Sequence, residues 1–497
     1  MALLSLLQPA LGSQVAPVLK PDAFAHHIVH FNSMDDESLT NVVSNANSWA
    51  WLRANIPFFE CPDQEVEEIY YFRWWSLRKH LCRTPQGFVF TEFLTRPTPI
   101  SSALGHQINE GRWLRNTRYL DDYILYWLRG SGDQPQSNLH KYSSWLPYAV
   151  YQRYLVAQDV KFLVSLLDPL VRDYQQWERE RRLDNGLFWQ YDVRDGMEES
   201  ISGSRTNRNL RPTINSYMFG NARAIAAIAR LAGKLGLAQA YEVKAADLKR
   251  LVQTDLWDPS TSFFKVRLEN GQFSNAREEI GFIPWYFELP DPGYEAAWAQ
   301  FSDPAGFHAA YGLTTAERRH PQFRSHGCCQ CEWDGAVWPF ATCQTLTALG
   351  NVLHDYTQSV VNSRDYFQAF LTYVRCQRFE GKPYIGEYLD ETTGQWLKGK
   401  QERSRYYNHS TFADLLITGI MGLRPRGDDV VEVYPLLPQG VWDWACVDGI
   451  RYHDRVLTIL WDKDGQHYGR GSGLSLLADG KTIGHAERLQ RVTGRLP

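Results

Sequence analysis

Hydrophobic residues recur at helical spacing through much of the chain between about residues 105 and 420. In the segment 222–229, apolar residues occupy positions i, i+3, i+4 and i+7, and Gly233 and Gly236 follow as stop signals. A second series of the same spacing covers 367–374. Connections rich in Gly, Pro, Asn and Asp separate such segments. The pattern predicts a mainly α domain over residues 105–424.

The pattern changes after this helical region to short runs in which apolar and polar residues alternate. Alternation with a period of two is typical of half-buried strands, and Gly-containing turns between such runs indicate β-hairpins. We therefore predict a small β domain over 425–497. The runs are 430–434, 456–461 and 474–478, and the turns are Lys463-Asp464-Gly465 and Asp479-Gly480.

Residues 1–104 show a mixed pattern, which we interpret as a partly helical segment that packs on the α domain. A helix is expected to begin near Glu65 and run to His80, and a short strand covers 87–93. Residues 2–12 are apolar, as in a secretory signal, but lack the basic lead-in of one. Secretion and a cytoplasmic location both stay open. No stretch approaches the roughly 20 apolar residues of a transmembrane helix.

Composition and charge narrow the class of partner. The 497 residues include 52 basic and 56 acidic side chains, which gives a net charge of −4 without a block of one sign. Nothing in this balance favours nucleic acid or an anionic membrane. The 18 Trp, 26 Tyr and 24 Phe make up 14% of the residues and often stand beside polar groups. Sugars present C–H faces and hydroxyl edges, so this mixture favours a carbohydrate partner, although any single Trp is more often a core residue.

The eight cysteines do not form the dense pattern of a disulfide-stabilised protein. Cys328, Cys329 and Cys331 lie close to His326, yet no second Cys/His cluster at ligand spacing completes a four-ligand zinc site. We interpret these cysteines as buried or reactive thiols. The sequence also has no phosphate-binding loop and no dinucleotide fingerprint. We predict neither a cofactor nor a metal.

Two acidic segments supply the candidate chemistry. Residues 196–200 read Gly-Met-Glu-Glu-Ser, and residues 386–394 read Gly-Glu-Tyr-Leu-Asp-Glu-Thr-Thr-Gly. Cleavage of a glycosidic bond needs two carboxyl groups, one to protonate the leaving oxygen and one to direct water. Two such segments in a chain rich in tryptophan therefore indicate a glycoside hydrolase.

Five motifs, in this order, resemble those of the mannosylglycerate-hydrolase-like glycosidases, which are similar to glycoside hydrolase family 63. The resemblance covers about residues 105 to 425 and implies an (α/α)6 barrel, the six-hairpin toroid, with a small C-terminal β domain. The motifs are Gly196 to Ser200, Arg211 to Met218, Cys331 to Thr342, Glu387 to Gly394 and Tyr407 to Phe412.

The resemblance implies an inverting mechanism and assigns its two catalytic residues. Glu198 falls on the position of the general acid, which is typically Asp in a Gly-x-Asp-x-Ser segment, and the neighbouring Glu199 is the alternative acid. Glu387, seven residues before Gly394, falls on the position of the general base. Inversion requires the two carboxyl groups to lie about 6.5–9.5 Å apart, with room for water between them.

Further side chains are predicted to bind the sugar, with structural roles as the alternative for several of them. Trp333 and Trp338 match a Trp-x-Gly-Pro-x-Trp segment of the family, with Ala336 in place of Pro. Arg211 before Pro212 is equally suited to bracing a loop, and His409 to a buried structural position. Glu110 and Glu332 are reserve candidates for the carboxylate roles. The predicted binding residues are Glu110, Arg112, Trp145, Asp192, Arg211, Asn215, Trp333, Asp334, Trp338 and His409.

Other functions on the same barrel remain open. One is a carbohydrate-binding protein that has lost catalysis, and another is a lyase or a phosphorylase. The near-neutral charge gives no sign of a uronate-binding surface, and Glu387 would be replaced by a phosphate pocket in a phosphorylase. We therefore expect an exo-acting glycosidase on oligosaccharides or small glycosides. The sugar and the oligomeric state are not determined by the sequence.

Overall fold

A computed structural model describes residues 17–39, 41–328 and 330–497. The apolar segment 2–12 lies outside these residues. The α-helices are α1 (Ala25–Met34), α2 (Asn45–Asn55), α3 (Gln64–Lys79), α4 (Leu104–Gly111), α5 (Arg118–Arg129), α6 (Leu146–Ala157), α7 (Val160–Ser165), α8 (Leu167–Arg181), α9 (Asp192–Asp195), α10 (Pro212–Leu231), α11 (Leu235–Asp255), α12 (Ile283–Tyr286), α13 (Pro339–Asp355), α14 (Ser363–Arg375) and α15 (Ala413–Leu415), which continues as a π-helical turn, Leu416–Ile420. Short 3-10 helices cover Pro21–Phe24, Ser101–Ala103, Leu139–Lys141, Glu279–Phe282, Glu295–Gln300 and Glu402–Ser404.

The β-strands are short except near the C-terminus. They are β1 (Phe58–Glu60), β2 (Leu81–Thr84), β3 (Gly87–Phe90), β4 (Trp257–Asp258), β5 (Phe263–Phe264), β6 (His308–Ala309), β7 (Gly312–Leu313), β8 (Arg378–Phe379), β9 (Lys382–Pro383), β10 (Leu423–Arg424), β11 (Val430–Val433), β12 (Trp444–Tyr452), β13 (Arg455–Asp462), β14 (Gly473–Ala478), β15 (Lys481–Ala486) and β16 (Val492–Arg495).

Six helices form an inner ring, which confirms the predicted (α/α)6 toroid with its small β domain. Neighbours around the ring pack in the order α4, α6, α10, α12, α13 and α15, and α15 closes the ring against α4. An outer segment precedes each inner helix in the chain, namely α3, α5, α8, α11, Glu295–Gln300 and α14. Since every inner helix follows an outer one, all six run in the same direction.

Helix α3 (Gln64–Lys79) matches the helix expected from Glu65 to His80. It packs against α14 and α15 and so takes the first outer position of the ring, although it precedes residue 105. Asp63 caps its N-terminus by accepting from the backbone N–H of Glu65 at 3.0 Å. The division of the chain at residues 104 and 424 stays a prediction.

Helix α10 illustrates how the sequence forms an inner helix. Pro212 begins it, and the apolar stripe at 222–229 lies mostly in the core. The helix ends before Gly233, whose φ of +70° is left-handed, as expected of a stop signal. The prediction that Gly236 ends a helix was wrong, because Gly236 lies in the first turn of α11. Open space surrounds it, and N–H groups of a first turn need no partner within the helix.

The helical pattern does not continue evenly to residue 420 as predicted. Between α11 and α13 the chain forms the β4–β5 and β6–β7 hairpins, 3-10 turns and the four-residue α12. Aromatic clusters rather than long helices fill this part, as where the Phe282 and Trp298 ring centroids approach to 4.4 Å. The apolar content of this part has no sustained period, so it does not indicate helices.

The C-terminal residues form two antiparallel sheets, as expected for the β domain. The larger has the order β1-β12-β13-β14-β15, and the smaller β10-β11-β16. Asp479 and Gly480, with φ of +47° and +74°, make the predicted tight turn between β14 and β15. The turn predicted at 463–465 is instead the start of a longer loop that reaches residue 472. β1 comes from the N-terminal segment and pairs with β12.

The common direction of the inner helices gathers their N-terminal ends at one mouth of the barrel. The loops that enter these helices therefore surround a single opening. None of the helices in the described ranges has the length and apolarity needed to cross a membrane.

Candidate active site

Acidic side chains stand in four of the loops that lead into the inner helices. Glu92 precedes α4, Glu198 precedes α10, Glu332 precedes α13 and Glu387 precedes α15. These loops are joined directly, since the N–H of Trp333 donates to the carbonyl of Glu198 at 3.3 Å, and the N–H of Val337 donates to the carbonyl of Leu389 at 3.0 Å. The fold thus brings together the two acidic segments selected from the sequence, which lie some 190 residues apart.

The Glu198 carboxyl group is in an environment that favours its protonated form. Burial raises its pKa, and the negative charges of Asp192 and Glu387 raise it further. Arg205 has an opposing, smaller effect. The charge of Glu387 thus acts on Glu198, and the catalytic roles of the two carboxyl groups stay predictions.

Glu199, the alternative acid, is engaged in holding two loops together. Its Oε2 accepts from the backbone N–H of Glu332 at 3.0 Å and of Cys331 at 3.3 Å. Its own N–H donates to Asp192 at 3.2 Å, and its φ of +70° turns the chain sharply. Asp192, a predicted binding residue, also accepts from the N–H of Val193 at 2.8 Å. Both side chains shape the loop that presents Glu198.

Two cations and a histidine surround Glu387, which is only 4% exposed. Lys398 Nζ lies 3.1 Å and Arg403 3.4 Å from Glu387 Oε2. His409 Nε2 donates to the Glu387 main-chain carbonyl at 3.0 Å. Burial lowers the pKa of His409 to about 3, so the ring is neutral. His409, predicted to bind sugar, therefore fixes the backbone of the second carboxylate.

A third carboxyl group, Glu92, faces the same opening and was missed by sequence reasoning. Ser102 donates to it at 2.8 Å, and Tyr407 also hydrogen-bonds to it. Burial raises the pKa of Glu92 to about 7, and the charges of Glu387 and Glu198 act in the same direction. The signal that could have found it is its position between β3 and α4, in a loop that enters an inner helix. Lys398 and Arg403 were missed as well, although they follow Glu387 closely in the sequence.

Trp333 and Trp338 lie in the same mouth, in a stack of aromatic rings. The ring centroids of Trp333 and Trp338 are 4.7 Å apart, and those of Trp338 and Tyr388 are also 4.7 Å apart. Tyr388 is the residue after Glu387, so the stack joins the α13 loop to the base candidate. Asp334 is fully buried and accepts from His326 Nδ1 at 2.8 Å. Sugar contacts of these residues stay predictions.

Arg211 and Asn215 hold the start of α10. Both are fully buried, and Arg211 forms an ion pair with Asp195 at 2.6 Å. Asn215 accepts from the N–H of Phe188 at 2.8 Å and donates to its carbonyl at 2.8 Å. These contacts provide the loop brace that was the alternative interpretation of Arg211.

Glu110, Arg112 and Trp145 make their contacts with other residues of the barrel. Glu110 accepts three backbone N–H groups at the start of α15, including that of Asp414 at 3.0 Å. Arg112 pairs with Asp414 at 2.7 Å. Trp145 is fully buried, with its ring centroid 4.9 Å from that of His106. A sugar contact for these three residues stays a prediction.

The interpretation of the cysteines near the mouth as thiols was wrong for Cys328, which forms a disulfide bond. Cys328 is disulfide-bonded, Cys329 lies outside the described residues, and Cys331 is a free thiol. Burial raises the pKa of the Cys331 thiol to about 12, with the charge of Glu198 as the next cause. A thiol of this kind is not predisposed to act as a metal-binding thiolate.

A cavity of about 760 Å³ opens at the other end of the barrel. Its lining includes residues in the last turns of the inner helices, such as Leu155, Arg230 and His354. Glu198 and Glu387 are not among its lining residues. Cavity size alone therefore does not locate the candidate chemistry, which we place by its carboxyl groups and their electrostatics.

Comparison with known families gives the same fold and adds the family. Residues 96–410 match the model of the mannosylglycerate hydrolase MGH1-like glycoside hydrolase domain. The chain belongs to this family. Residues 423–485 match the C-terminal domain of glycosyl hydrolase family 65, which corresponds to the β domain.

Solved structures similar to this member of the MGH1-like family include a protein named as a sialidase. It is 51% identical, with a TM-score of 0.94 over 96% of this chain, and the match covers 45% of the sialidase chain. This chain thus spans less than half the length of that relative.

More distant structures share the fold. The glycoside hydrolase family 63 mannosylglycerate hydrolase from Thermus thermophilus, in complex with glucose, is 15% identical, with a TM-score of 0.54, and the match covers 70% of this chain and 99% of that one. A family 78 rhamnosidase of a Bacillus species is 12% identical, with a TM-score of 0.59, over 82% of this chain and 40% of that one.

Proposed function

We propose that this protein is an inverting, exo-acting glycosidase in which Glu198 is the general acid and Glu387 the general base. The observation that supports it is the contrast between two carboxyl groups in one mouth. Glu198 has a raised pKa, from burial and then from negative neighbours, whereas Glu387 is ion-paired with Lys398 and Arg403. A pair of carboxyl groups in opposite environments is the usual arrangement for acid and base roles.

The proposed reaction is a single displacement. Glu198 donates its proton to the glycosidic oxygen as the bond from that oxygen to the anomeric carbon breaks. A water on the opposite face of the ring attacks the anomeric carbon while Glu387 takes one of its protons. The products are a free sugar of inverted configuration and an alcohol or shorter glycan, and the net reaction consumes one water.

The surroundings of both groups support these roles. Lys398 and Arg403 stabilise the negative charge that a base needs, and the His409 contact fixes where that charge stands. Glu199 and Asp192 fix the loop around Glu198 through backbone contacts and leave Glu198 for proton transfer. This arrangement is our reason for preferring Glu198 to Glu199 as the acid.

Exo action is supported by the enclosure of the site. Glu387 is nearly inaccessible, and the loops that enter the inner helices surround the mouth. Such enclosure favours binding of a chain end, whereas endo enzymes need a groove that is open on both sides. The near-neutral charge of the chain suits an uncharged sugar.

A screen of aryl glycosides and disaccharides tests the function, with the first product anomer followed by NMR. Inversion is expected on at least one substrate, and retention would contradict the mechanism. Because mutarotation equilibrates the two anomers, the spectra have to be recorded within the first minutes of a fast reaction.

Sialosides belong in the same screen because the 51% identical relative is named as a sialidase. That name describes a chain of more than twice the matched length, so it supports sialoside hydrolysis only as a second candidate. Most sialidases use a Tyr nucleophile and retain configuration. A retained sialic acid product would select this candidate over the inverting one.

Loss of catalysis on the same barrel would give a carbohydrate-binding protein instead. Glu198→Gln and Glu387→Gln, made separately, discriminate between the two functions. An enzyme loses turnover and still binds sugar, whereas a binding protein shows no turnover before or after the change. Phosphorolysis is tested by adding inorganic phosphate and looking for a sugar phosphate, and a lyase by absorbance of an unsaturated product.

A further inference from the structure

Three potential metal ligands meet far from the barrel mouth, at the packing contact of α1 and α3. One ligand atom from each of His26, His27 and Glu67 lies within 4.8 Å of the other two. His26 and His27 are neighbours on α1, and their ring centroids are 4.0 Å apart. Glu67 belongs to the first turn of α3. We refer to these three residues as the histidine cluster.

We propose that the histidine cluster binds one Zn²⁺ ion and so joins α1 to α3. Two imidazoles and one carboxylate are a ligand set that zinc accepts, with Zn–N of about 2.0–2.1 Å and Zn–O of about 2.0–2.2 Å. The fourth position is taken by water. Hard cations such as Mg²⁺ and Ca²⁺ prefer oxygen ligands, so two imidazoles select against them.

The separation of His27 and Glu67 is close to what zinc requires. His27 Nε2 and Glu67 Oε1 are 2.9 Å apart. Two ligand atoms of a tetrahedral zinc ion stand about 3.3 Å apart, as follows from the bond lengths. A displacement of a few tenths of an ångström would therefore admit the ion in place of the hydrogen bond that now joins the two atoms. His27 is buried and Glu67 is half-buried, so ion binding would require little further ordering of these side chains.

Neighbouring groups orient the two rings as they do for metal-bound histidines. His26 Nδ1 lies 2.8 Å from the carbonyl oxygen of Ala23, so this nitrogen carries the hydrogen and Nε2 keeps its lone pair for a metal. The His27 ring stacks on Tyr71, with centroids 5.1 Å apart. The backbone contact fixes the tautomer of His26, and the stacking contact fixes the ring plane of His27, before an ion arrives.

A second His/Glu pair one turn further along is not part of the cluster and provides the matched control. His30 Nε2 is 3.8 Å from Glu68 Oε1, and Glu68 is ion-paired with Arg378 at 2.6 Å. His30 is exposed on the same helix as the two ligands. A nonspecific effect of surface histidines would therefore depend on His30 as much as on His26.

The test is isothermal titration of tag-free, EDTA-treated and dialysed full-length protein with ZnCl2 at pH 7.5. One equivalent is expected to bind with a dissociation constant in the micromolar range. His26→Ala and Glu67→Gln are expected to weaken binding at least tenfold, and His30→Ala to leave it unchanged. Because His26 is exposed, its replacement leaves the core intact and keeps the test valid even if the buried His27 tolerates no change.

Two further readouts separate a built site from adventitious binding. CoCl2 should give the intense visible absorption of four-coordinate cobalt, and His26→Ala should abolish it. Zinc should raise the unfolding temperature of the native protein but not of His26→Ala. Undiminished binding in His26→Ala, or equal weakening in His30→Ala, would overturn the proposal. Glycosidase activity is expected to be indifferent to all these changes.

Discussion

His409 Nε2 donates to the main-chain carbonyl of Glu387 at 3.0 Å, inside the core of the barrel mouth. Both residues lie in the long connection between α14 and α15, with His409 just before α15 begins. The contact joins two parts of this connection at the position of the proposed base. Because burial lowers the pKa of His409 to about 3, the ring stays neutral throughout the ordinary working range.

The neutral state of His409 predicts a loss of stability in mild acid. In the unfolded chain, histidine takes up a proton near pH 6.5, whereas His409 in the folded chain takes it up only near pH 3. Above pH 6.5 His409 is unprotonated in both the folded and the unfolded state. Below this pH the histidine of the unfolded state gains a proton, and the unfolded state becomes more favourable. At pH 5 the cost is roughly 2 kcal/mol.

Urea unfolding of the wild type and of His409→Gln at pH 7.5 and pH 5 measures this effect. The wild type should lose about 2 kcal/mol more than the variant between the two pH values. His308→Gln serves as control, since His308 is exposed and should leave the pH dependence as it is. Parallel losses in wild type and His409→Gln would show that His409 is not the group that titrates.

Glu198→Gln should abolish general acid catalysis without unfolding the protein. The expected loss in kcat is about 10²- to 10⁴-fold for substrates with poor leaving groups. Since the acid works only when protonated, wild-type kcat/KM should fall as pH rises through the raised pKa of Glu198, and this alkaline limb should be absent in the variant. The measurement is a pH profile with one activated and one unactivated aryl glycoside.

Glu199→Gln is the matched control for the acid assignment. The side-chain carbonyl oxygen of the glutamine can still accept hydrogen bonds from the N–H groups of Cys331 and Glu332. The loop structure and most of the activity should therefore be kept. If Glu199→Gln loses turnover while Glu198→Gln keeps it, the two residues have exchanged roles and Glu199 is the acid.

Glu92→Gln should make the protein more stable in alkali and shift its activity to lower pH. The folded pKa of Glu92, about 7, lies above the value near 4.5 of the unfolded chain. Its contribution to stability is therefore complete below pH 4.5 and is lost as pH rises through 7. At pH 8 the cost is up to about 3 kcal/mol, which the neutral amide removes.

The effect of Glu92 on activity follows from its charge. The charges of ionised Glu92 and Glu198 repel each other, so loss of the Glu92 charge should move the alkaline limb of kcat/KM to lower pH. Unfolding at pH 5 and pH 8, together with the pH profile, checks both statements. Glu487→Gln, an exposed site in the β domain, should change neither. If the free energy of unfolding changes as much between pH 5 and pH 8 in Glu92→Gln as in the wild type, the expectation is contradicted.

The buried ion pair of Arg211 and Asp195 should be more important for stability than for chemistry. Both side chains are fully buried, and loss of one partner leaves the other charge uncompensated. Arg211→Met or Asp195→Asn alone should lower the free energy of unfolding by about 3–5 kcal/mol. The double variant should lose less than the sum of the two, as a double-mutant cycle in urea would show. Strict additivity would mean that the pair is not coupled.

Local sequence determined those elements in which apolar residues repeat at a regular spacing and clear stop signals follow. The stripe at 222–229 with Gly233 was sufficient for α10, and Asp479 with Gly480 for one hairpin, because helix faces and tight turns depend on near neighbours. The same reliance on near neighbours led to the two wrong predictions, that Gly236 ends a helix and that the segment 256–338 is strongly helical. A glycine in a first turn costs little, and short apolar runs have no period that separates helix from loop.

The ten predicted binding residues show that a side chain's role depends on contacts with distant residues, which a sequence motif does not reveal. Sequence order and motif spacing selected Glu198 and Glu387, and the fold joins the loops that carry them. Glu110, Arg211 and Asn215 have the same chemistry as sugar ligands, yet their polar atoms bond to the protein itself. Glu92 went unnoticed because no motif surrounds it.

The sequence by itself determined the helical and β portions of the chain and two segments with the carboxyl groups that glycoside hydrolysis needs. Only the tertiary structure decided that Glu92 shares their mouth, that Lys398 and Arg403 neutralise Glu387, and that the histidines of α1 meet Glu67. The physical reason is that periodicity depends on residues a few positions apart. Electrostatic environment and ligand geometry depend on distances between loops and helices that are distant in the chain.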